Sequence, residues 1–411
     1  MTQDKSVHFS PFSPDFHRNP YPTYEYLRQN EPVHKSLLNT WIITSYADAK
    51  TILNSPSFRV DDLPKRLKQK NRYLKKGDLN TLSETIEKWL FFLEPPDHNR
   101  LRVLFTKPFS PTAIEAMYPE IQARVDNLLA KVQIKGHIDI IDDLASPLPA
   151  MTITHILGLP CQDYRKLLHW SNQLLFILEQ PASLKRYQQQ NEVAMEAKEY
   201  FLLEIEKQKK YQRKGLLGEL INNQEFTDKF DSDEIVGLCI MLMVAGQETT
   251  KSLIGNGILA LIEHHEKLNQ IKQGKFILKN VIEELLRYDS PIQMVARIAL
   301  EETIVSNVII AKGDTVMICI GAANRDPAQF KHPNDLDFER QQYSLAFGGG
   351  IHYCLGGWLA RIQAEIAINT LIRSFSNLKV DAEKIERHKS IIIRGLTKLP
   401  ISFDFDRSEV L

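Results

Sequence analysis

The reading turns on Phe347-Gly348-Gly349-Gly350-Ile351-His352-Tyr353-Cys354-Leu355-Gly356. Three glycines in a row let the backbone turn tightly and approach another body closely. The turn delivers Cys354 to an amphipathic run, Leu355 to Phe375, in which Leu359, Ile362, Ile366, Leu371 and Phe375 recur at helical steps. A thiol at a helix start meets unpaired N–H groups and a positive dipole end, which favours the thiolate. Cys354 is therefore a candidate metal ligand or nucleophile. A phosphate cradle also uses clustered glycines, but no Gly-Lys-Ser/Thr follows and no GxGxxG is present. The bland alternative is a buried cysteine after a glycine turn.

Upstream, Asp231 and Ser232 are capping candidates for a helix of roughly thirty residues reaching about His264. Its middle, Ile240 to Ala245, is apolar all round, as expected of a helix crossing an interior. Ala245-Gly246-Gln247-Glu248-Thr249-Thr250 interrupts that character. Gly246 weakens a helix, and Thr249 can divert a backbone carbonyl into a side-chain bond. Such a breach marks either a functional groove or the point where the helix meets solvent. Glu284 and Arg287, three apart in Glu284-Leu285-Leu286-Arg287, share a helical face, a spacing common among solvated pairs. His98 and Arg102, four apart, also share a face.

The rest of the chain sets bounds. Its 411 residues are 43% hydrophobic and 25% charged, with 51 basic residues against 51 acidic ones, so no overall field favours a polyanion. Nucleic acid is a poor partner. The four cysteines, Cys161, Cys239, Cys319 and Cys354, are too far apart for a CxxC zinc site or a disulfide scaffold. The polar N-terminus has no apolar core of a signal peptide, and the longest charge-free apolar stretch, Ile235 to Gly246, falls far short of the ~18 residues of a membrane span. The expectation is a cytoplasmic protein with no membrane span. A helix at Tyr21 to Asn30, a strand pair within Val33 to Thr44, and strands in Val295 to Ile310, Thr315 to Ile320 and near both ends of Leu378 to Phe405 complete a mainly α fold with small β-sheets.

The cysteine segment, continued by Leu359-Ala360-Arg361, resembles the ligand loop of the cytochrome P-450 family, Phe-x-x-Gly-x-x-x-Cys-x-Gly. Glu284-x-x-Arg287, Phe338-Glu339-Arg340 and Ala245-Gly246-x-Glu248-Thr249 follow the family order, and the resemblance runs along essentially the whole chain. It implies that a long central helix lies over a haem b (iron protoporphyrin IX) in a single haem-thiolate domain, residues 1–411, with no fused reductase. It further implies that Cys354, in a loop with Phe347 and Gly350, is the axial iron ligand. Ala245, Glu248 and Thr249 become the oxygen groove, the last two as a proton-delivering acid and alcohol. His98, Arg102, Arg297 and His352 become partners of the porphyrin carboxylates, and Glu284, Arg287 and Arg340 a structural brace.

The implied activity is hydroxylation of a lipophilic small molecule (steroid, terpenoid, polyketide or fatty-acid-like) by dioxygen and two electrons. A ferredoxin or flavodoxin with its reductase supplies the electrons, docking near Arg361, Lys107 and Arg100. Gly357 and Trp358 depart from the commoner family residues. The alternative is a haem-binding sensor or carrier without turnover, for which Glu248 and Thr249 are not needed. A non-haem helical scaffold is the third reading. Lys65 to Lys76, with seven basic residues and no acid, is either a solvated run or an attractor for a carboxylate-bearing substrate. Trp89, Phe91, Phe92, Ile292, Met294 and Val295 form the expected apolar lining.

Overall fold

The computed structural model describes residues 9–73, 79–179, 182–211, 213–222 and 230–405. About 59% of it is helical. The helix Ser232–Glu263 organises the rest. It opens with a capping box: the Glu234 N–H donates to Asp231 Oδ1 at 2.7 Å, and Asp231 N–H donates to Glu234 Oε2 at 3.2 Å. Apolar residues then cover its whole circumference, so it is buried along most of its length. Helices Pro147–Leu157, Tyr164–Leu174, Leu184–Tyr211, Leu278–Tyr288 and Gly357–Ser374 pack around it. The amphipathic run after the cysteine starts its helix at Gly357, two residues later than the pattern alone indicates.

A five-stranded sheet stands to one side in the order Val33–Lys35, Trp41–Ile43, Thr315–Cys319, Met294–Ala299, Phe58–Arg59. Only the pairing of Trp41–Ile43 with Thr315–Cys319 is parallel. This sheet carries Arg297, opposite Val316. A three-stranded sheet joins His137–Asp139, Pro400–Phe405 and Phe375–Val380, closing the C-terminal segment against the helices.

The N-terminal segment crosses this seam as a strap. Tyr21 Oη donates to Asp289 Oδ1 at 2.5 Å, and Arg394 Nε donates to the same oxygen at 2.6 Å. Arg394 also donates to the carbonyls of His17 and Arg18.

Within the basic run, Leu63–Tyr73 is a helix that buries Leu63 and Leu67. Arg66 pairs with Asp61, Lys68 with Glu87 at 2.5 Å, and Lys70 lies over the Tyr187 ring. The run is thus largely engaged locally, and its residues 74–76 lie outside the described residues.

Candidate cofactor site

The cysteine loop has the geometry its glycines require. Gly348 and Gly350 both take positive φ, and a Cβ on Gly350 would stand 2.7 Å from the Leu53 carbonyl, so no other residue fits there without displacement. The Cys354 N–H donates to the Phe347 carbonyl at 3.0 Å and closes the loop. The Arg361 guanidinium lies 4.2 Å over the Phe347 ring and pairs with Glu283. Arg102 Nη2 donates to the Tyr353 carbonyl at 2.7 Å.

Cys354 itself has open surface although protein surrounds it, so it faces an internal crevice rather than bulk water. That burial pushes the thiol up, against the Gly356 N–H and the charges of Arg361 and Arg102. The side chain precedes the helix, and desolvation outweighs the N–H groups, so a bound cation is what makes a thiolate here.

Four basic side chains gather beside the loop. His98 is fully buried on the helix Asp97–Thr106, its ring 4.5 Å from the His352 ring. Burial, followed by the charges of Arg297, His98 and Arg102, pushes the His352 imidazole down to about 3. Arg297, also buried, donates only to the carbonyl of its own neighbour Ala296 at 2.8 Å. Burial pushes its guanidinium down, and Glu94 is the acid that opposes this. His98 Nε2 and His352 Nε2 are buried without a hydrogen-bond partner.

Buried donors are rarely left orphaned, and buried cations rarely lack anions. The unpartnered His98 and His352 nitrogens and the buried Arg297 guanidinium would suit an anionic group. No set of three or more His, Cys, Asp or Glu side chains able to hold a metal occurs among the described residues. A metal at Cys354 must bring its other ligands with it. An iron tetrapyrrole with two carboxylates fits both observations.

The brace is of a different kind. Glu284 takes a bidentate pair from Arg287, Nε to Oε2 and Nη2 to Oε1, both at 2.7 Å. Arg340 Nε reaches Glu284 Oε2 at 3.2 Å. Arg287 also donates to the carbonyls of Asn324, Pro333 and Asp335, and Arg340 to those of Lys331 and His332. The side chains are 3, 1 and 5% exposed for Glu284, Arg287 and Arg340. Asn324 Oδ1 accepts from Leu345 N–H at 2.7 Å and so carries the brace into the cysteine loop.

In the long helix, Ala245, Gly246 and Thr249 form a patch with open surface on an element buried on both sides of it. Thr249 Oγ1 donates to the Ala245 carbonyl at 3.0 Å. The helix runs on unbroken, and the expected side-chain bond to a backbone carbonyl is present. Gly246 has a packing reason, since a Cβ would come within 2.9 Å of Ile153 Cδ1. Glu248 turns away from the patch, pairing with Lys251 Nζ at 2.6 Å and His388 Nε2 at 2.9 Å. Burial pushes its carboxyl up, but His388 and Lys251 outweigh this and hold it below the ordinary carboxylate value.

Other expectations need correction. Arg100 is tied to Glu234 at 2.5 Å and to Asp97, and Arg361 to Glu283, so neither is a free docking charge; Lys107 is exposed. Trp89 and Met294 are core residues, whereas Phe91, Phe92, Ile292 and Val295 keep open surface. Sequence reasoning missed His388, Lys251 and Glu94. Lys251 was visible three residues after Glu248; His388, 140 residues away, carried no signal.

A mainly helical body that sets a cysteine loop beside His98, Arg102, Arg297 and His352 suits a haem-thiolate protein. The model of the family described as Cytochrome P450 matches residues 24–274 and 276–403, and the chain belongs to that family. Its members bind haem b through a cysteine thiolate. The biotin biosynthesis cytochrome P450 of Bacillus subtilis (strain 168) is 35% identical over 95% of this chain and 98% of its own length. The polyketide biosynthesis cytochrome P450 PksS of the same organism is 31% identical over 96% and 98%. A crystal structure of P450BioI in complex with hexadec-9Z-enoic acid ligated acyl carrier protein superposes with a TM-score of 0.87 at 34% identity, covering 95% of this chain and 99% of that one. The protein is accordingly an oxidoreductase of the monooxygenase type, from a family whose bacterial members include a 6-deoxyerythronolide B hydroxylase and a vitamin D(3) 25-hydroxylase. Among the described residues no helix is long and apolar enough to cross a membrane.

Proposed function

We propose that this chain hydroxylates a lipophilic acyl compound, a fatty-acid-like or polyketide chain, using dioxygen and two electrons from a separate ferredoxin or flavodoxin with its reductase. The observation that carries the reading is the cluster beside the Cys354 loop of two guanidiniums, Arg102 and Arg297, and two imidazoles whose Nε2 atoms, of His98 and His352, are buried without a partner. In this reading residues 1–411 act as one haem domain. Bound haem supplies dioxygen activation and the oxidising power to replace C–H by C–OH. Cys354 holds it through its thiolate, while Phe347 and Gly350 shape the loop. His98, Arg102, Arg297 and His352 hold its carboxylates, Arg in bidentate fashion.

The small side chain of Ala245 would leave room for the cofactor beside the long helix. The Thr249 hydroxyl, released from the Ala245 carbonyl, donates a proton into the groove, and Glu248 replenishes it through water. Phe91, Phe92, Ile292 and Val295 exclude water from the substrate and orient it. The acyl class is favoured by two relatives whose names place them in biotin and polyketide biosynthesis. Electrons enter at the cysteine face, where Val103, Ile351, Tyr353 and Trp358 are exposed apolar contacts beside Lys107.

The decisive test is the absorption spectrum of the reduced, carbon-monoxide-bound protein. Wild type shows the strongly red-shifted Soret band of thiolate ligation, and Cys354→Ser, which folds, lacks it. A variant that keeps the band sinks the ligand assignment. Titration with hexadec-9-enoic acid, read as a spin-state change, tests the acyl class.

A further inference from the structure

The acid of the groove is held from outside its own helix. Glu248, only 3% exposed, accepts from His388, whose Nε2 also lies 3.5 Å from Lys251 Nζ. His388 sits in the segment between the paired strands Glu386–Arg387 and Leu396–Lys398, and its N–H donates to the Gly395 carbonyl at 3.1 Å. Gly395 lets this segment lie against Ser252 of the long helix, since a side chain there would collide with the Ser252 hydroxyl.

The same histidine lines an open pocket with His17, Tyr24, Gln293, Arg387 and Arg394, wide enough for water only. In that lining His17 Nδ1, Gln293 Oε1 and Arg387 Nη1 are buried polar atoms with no partner in the protein. Orphaned polar atoms around a narrow polar cavity are binding points for ordered water. His388 thus stands between a water pocket on one side and a buried carboxylate on the other.

We infer that His388 is a positioning residue that also relays protons from this pocket to Glu248, and through it to Thr249. The inference rests on the monooxygenase reading, because only a reaction that consumes protons needs the route. A proton taken from pocket water on Nδ1 makes an imidazolium. Nε2–H then breaks as O–H forms on the Glu248 carboxylate, leaving a neutral ring. Release of the Nδ1 proton to pocket water and uptake of one from water at Nε2 restore the starting tautomer, so one proton in net has passed to Glu248 and no electrons move.

Charged and titratable groups face His388 from every packed element. Glu248 and Lys251 come from the long helix, and Arg387 and Arg394 from its own segment. His17 comes from the strap. Glu179 bonds Ser390, and Arg186 covers Phe176, whose ring meets the His388 ring at 6.2 Å. The depressed Glu248 carboxyl suits an acceptor that stays ionised between transfers.

The test drives the holoenzyme with a surrogate ferredoxin and reductase and follows the profile of NADPH oxidation without added substrate in mixtures of H₂O and D₂O. Wild type shows a solvent isotope effect. His388→Gln, which keeps a donor toward Glu248 but cannot carry a proton, changes that isotope effect, slows roughly tenfold and releases more peroxide. In the apoprotein, His388→Gln raises the pH at which the Glu248 carboxylate infrared band titrates. His17→Phe fills the pocket at a distance from Glu248, so it slows oxidation while leaving the Glu248 band unchanged, and it decides the matter where His388→Gln does not fold.

A wild-type profile and isotope effect in His388→Gln, or an unchanged rate in His17→Phe, overturns the relay. Absence of the thiolate band in wild type instead overturns the monooxygenase reading and the relay with it.

Discussion

The chain buries two charged clusters around its cysteine loop, and they differ in what they leave unmet. In the brace, one carboxylate faces two guanidiniums, and backbone carbonyls of residues 324–335 take up their remaining N–H groups. In the nest, His98, Arg102, Arg297 and His352 crowd together with Glu94 as the nearby acid, and two ring nitrogens have no partner. A buried charge that is satisfied internally holds the fold. One left unsatisfied costs stability until something binds. The difference separates architecture from function without reference to any relative.

The largest break in this comparison comes from the brace. Glu284→Ala strands two buried guanidiniums and is expected to cost about 3 to 5 kcal/mol, equally with and without haem, as read by chemical denaturation. Arg297→Leu acts in the opposite sense, because it removes an unpaired buried charge. The apoprotein is expected to be as stable as wild type or more so. The holoprotein loses about 1.5 to 3 kcal/mol of haem binding, measured by transfer of haem to a scavenger apoprotein. A brace-like loss in the Arg297→Leu apoprotein erases the distinction.

The smallest effect concerns acid. Burial pushes Asp289 up, but Arg394, Arg387 and Tyr21 outweigh it and leave its carboxyl below the ordinary value of 3.8. The unfolded chain therefore takes up the proton first. The stabilisation is complete above about pH 4 and fades as pH falls through the depressed value, at no more than about 1.4 kcal/mol per pH unit. Asp289→Asn flattens that slope in acid denaturation curves.

Local patterns were readable where chemistry and spacing coincide. Gly348 and Gly350 announced a turn that only glycine can make, the Asp231 cap and the apolar run after it located the long helix, and Glu284 with Arg287 declared a pair. Arg340 and Arg297 entered only through resemblance, since nothing in a single strand or loop says which distant residue it meets. The ion pairs of Arg100 and Arg361 were equally illegible, because their partners, Glu234 and Glu283, lie 134 and 78 residues away. Cys354 comes just before its helix, as its sequence indicates, but the burial that opposes the helix-end N–H groups was not legible. Desolvation depends on the surrounding crevice, which local sequence does not describe.

The N-terminal strap has a consequence for synthesis. His17 and Tyr21 are made well before the groups that fasten them, Arg394 being 377 residues after His17 and Asp289 being 268 after Tyr21. The wall that His17 contributes to the water pocket cannot form on the ribosome until Arg394 has emerged. A stalled or truncated product would thus present an open seam where the finished enzyme has a clasp, which offers a quality-control protease a local cue to incomplete translation.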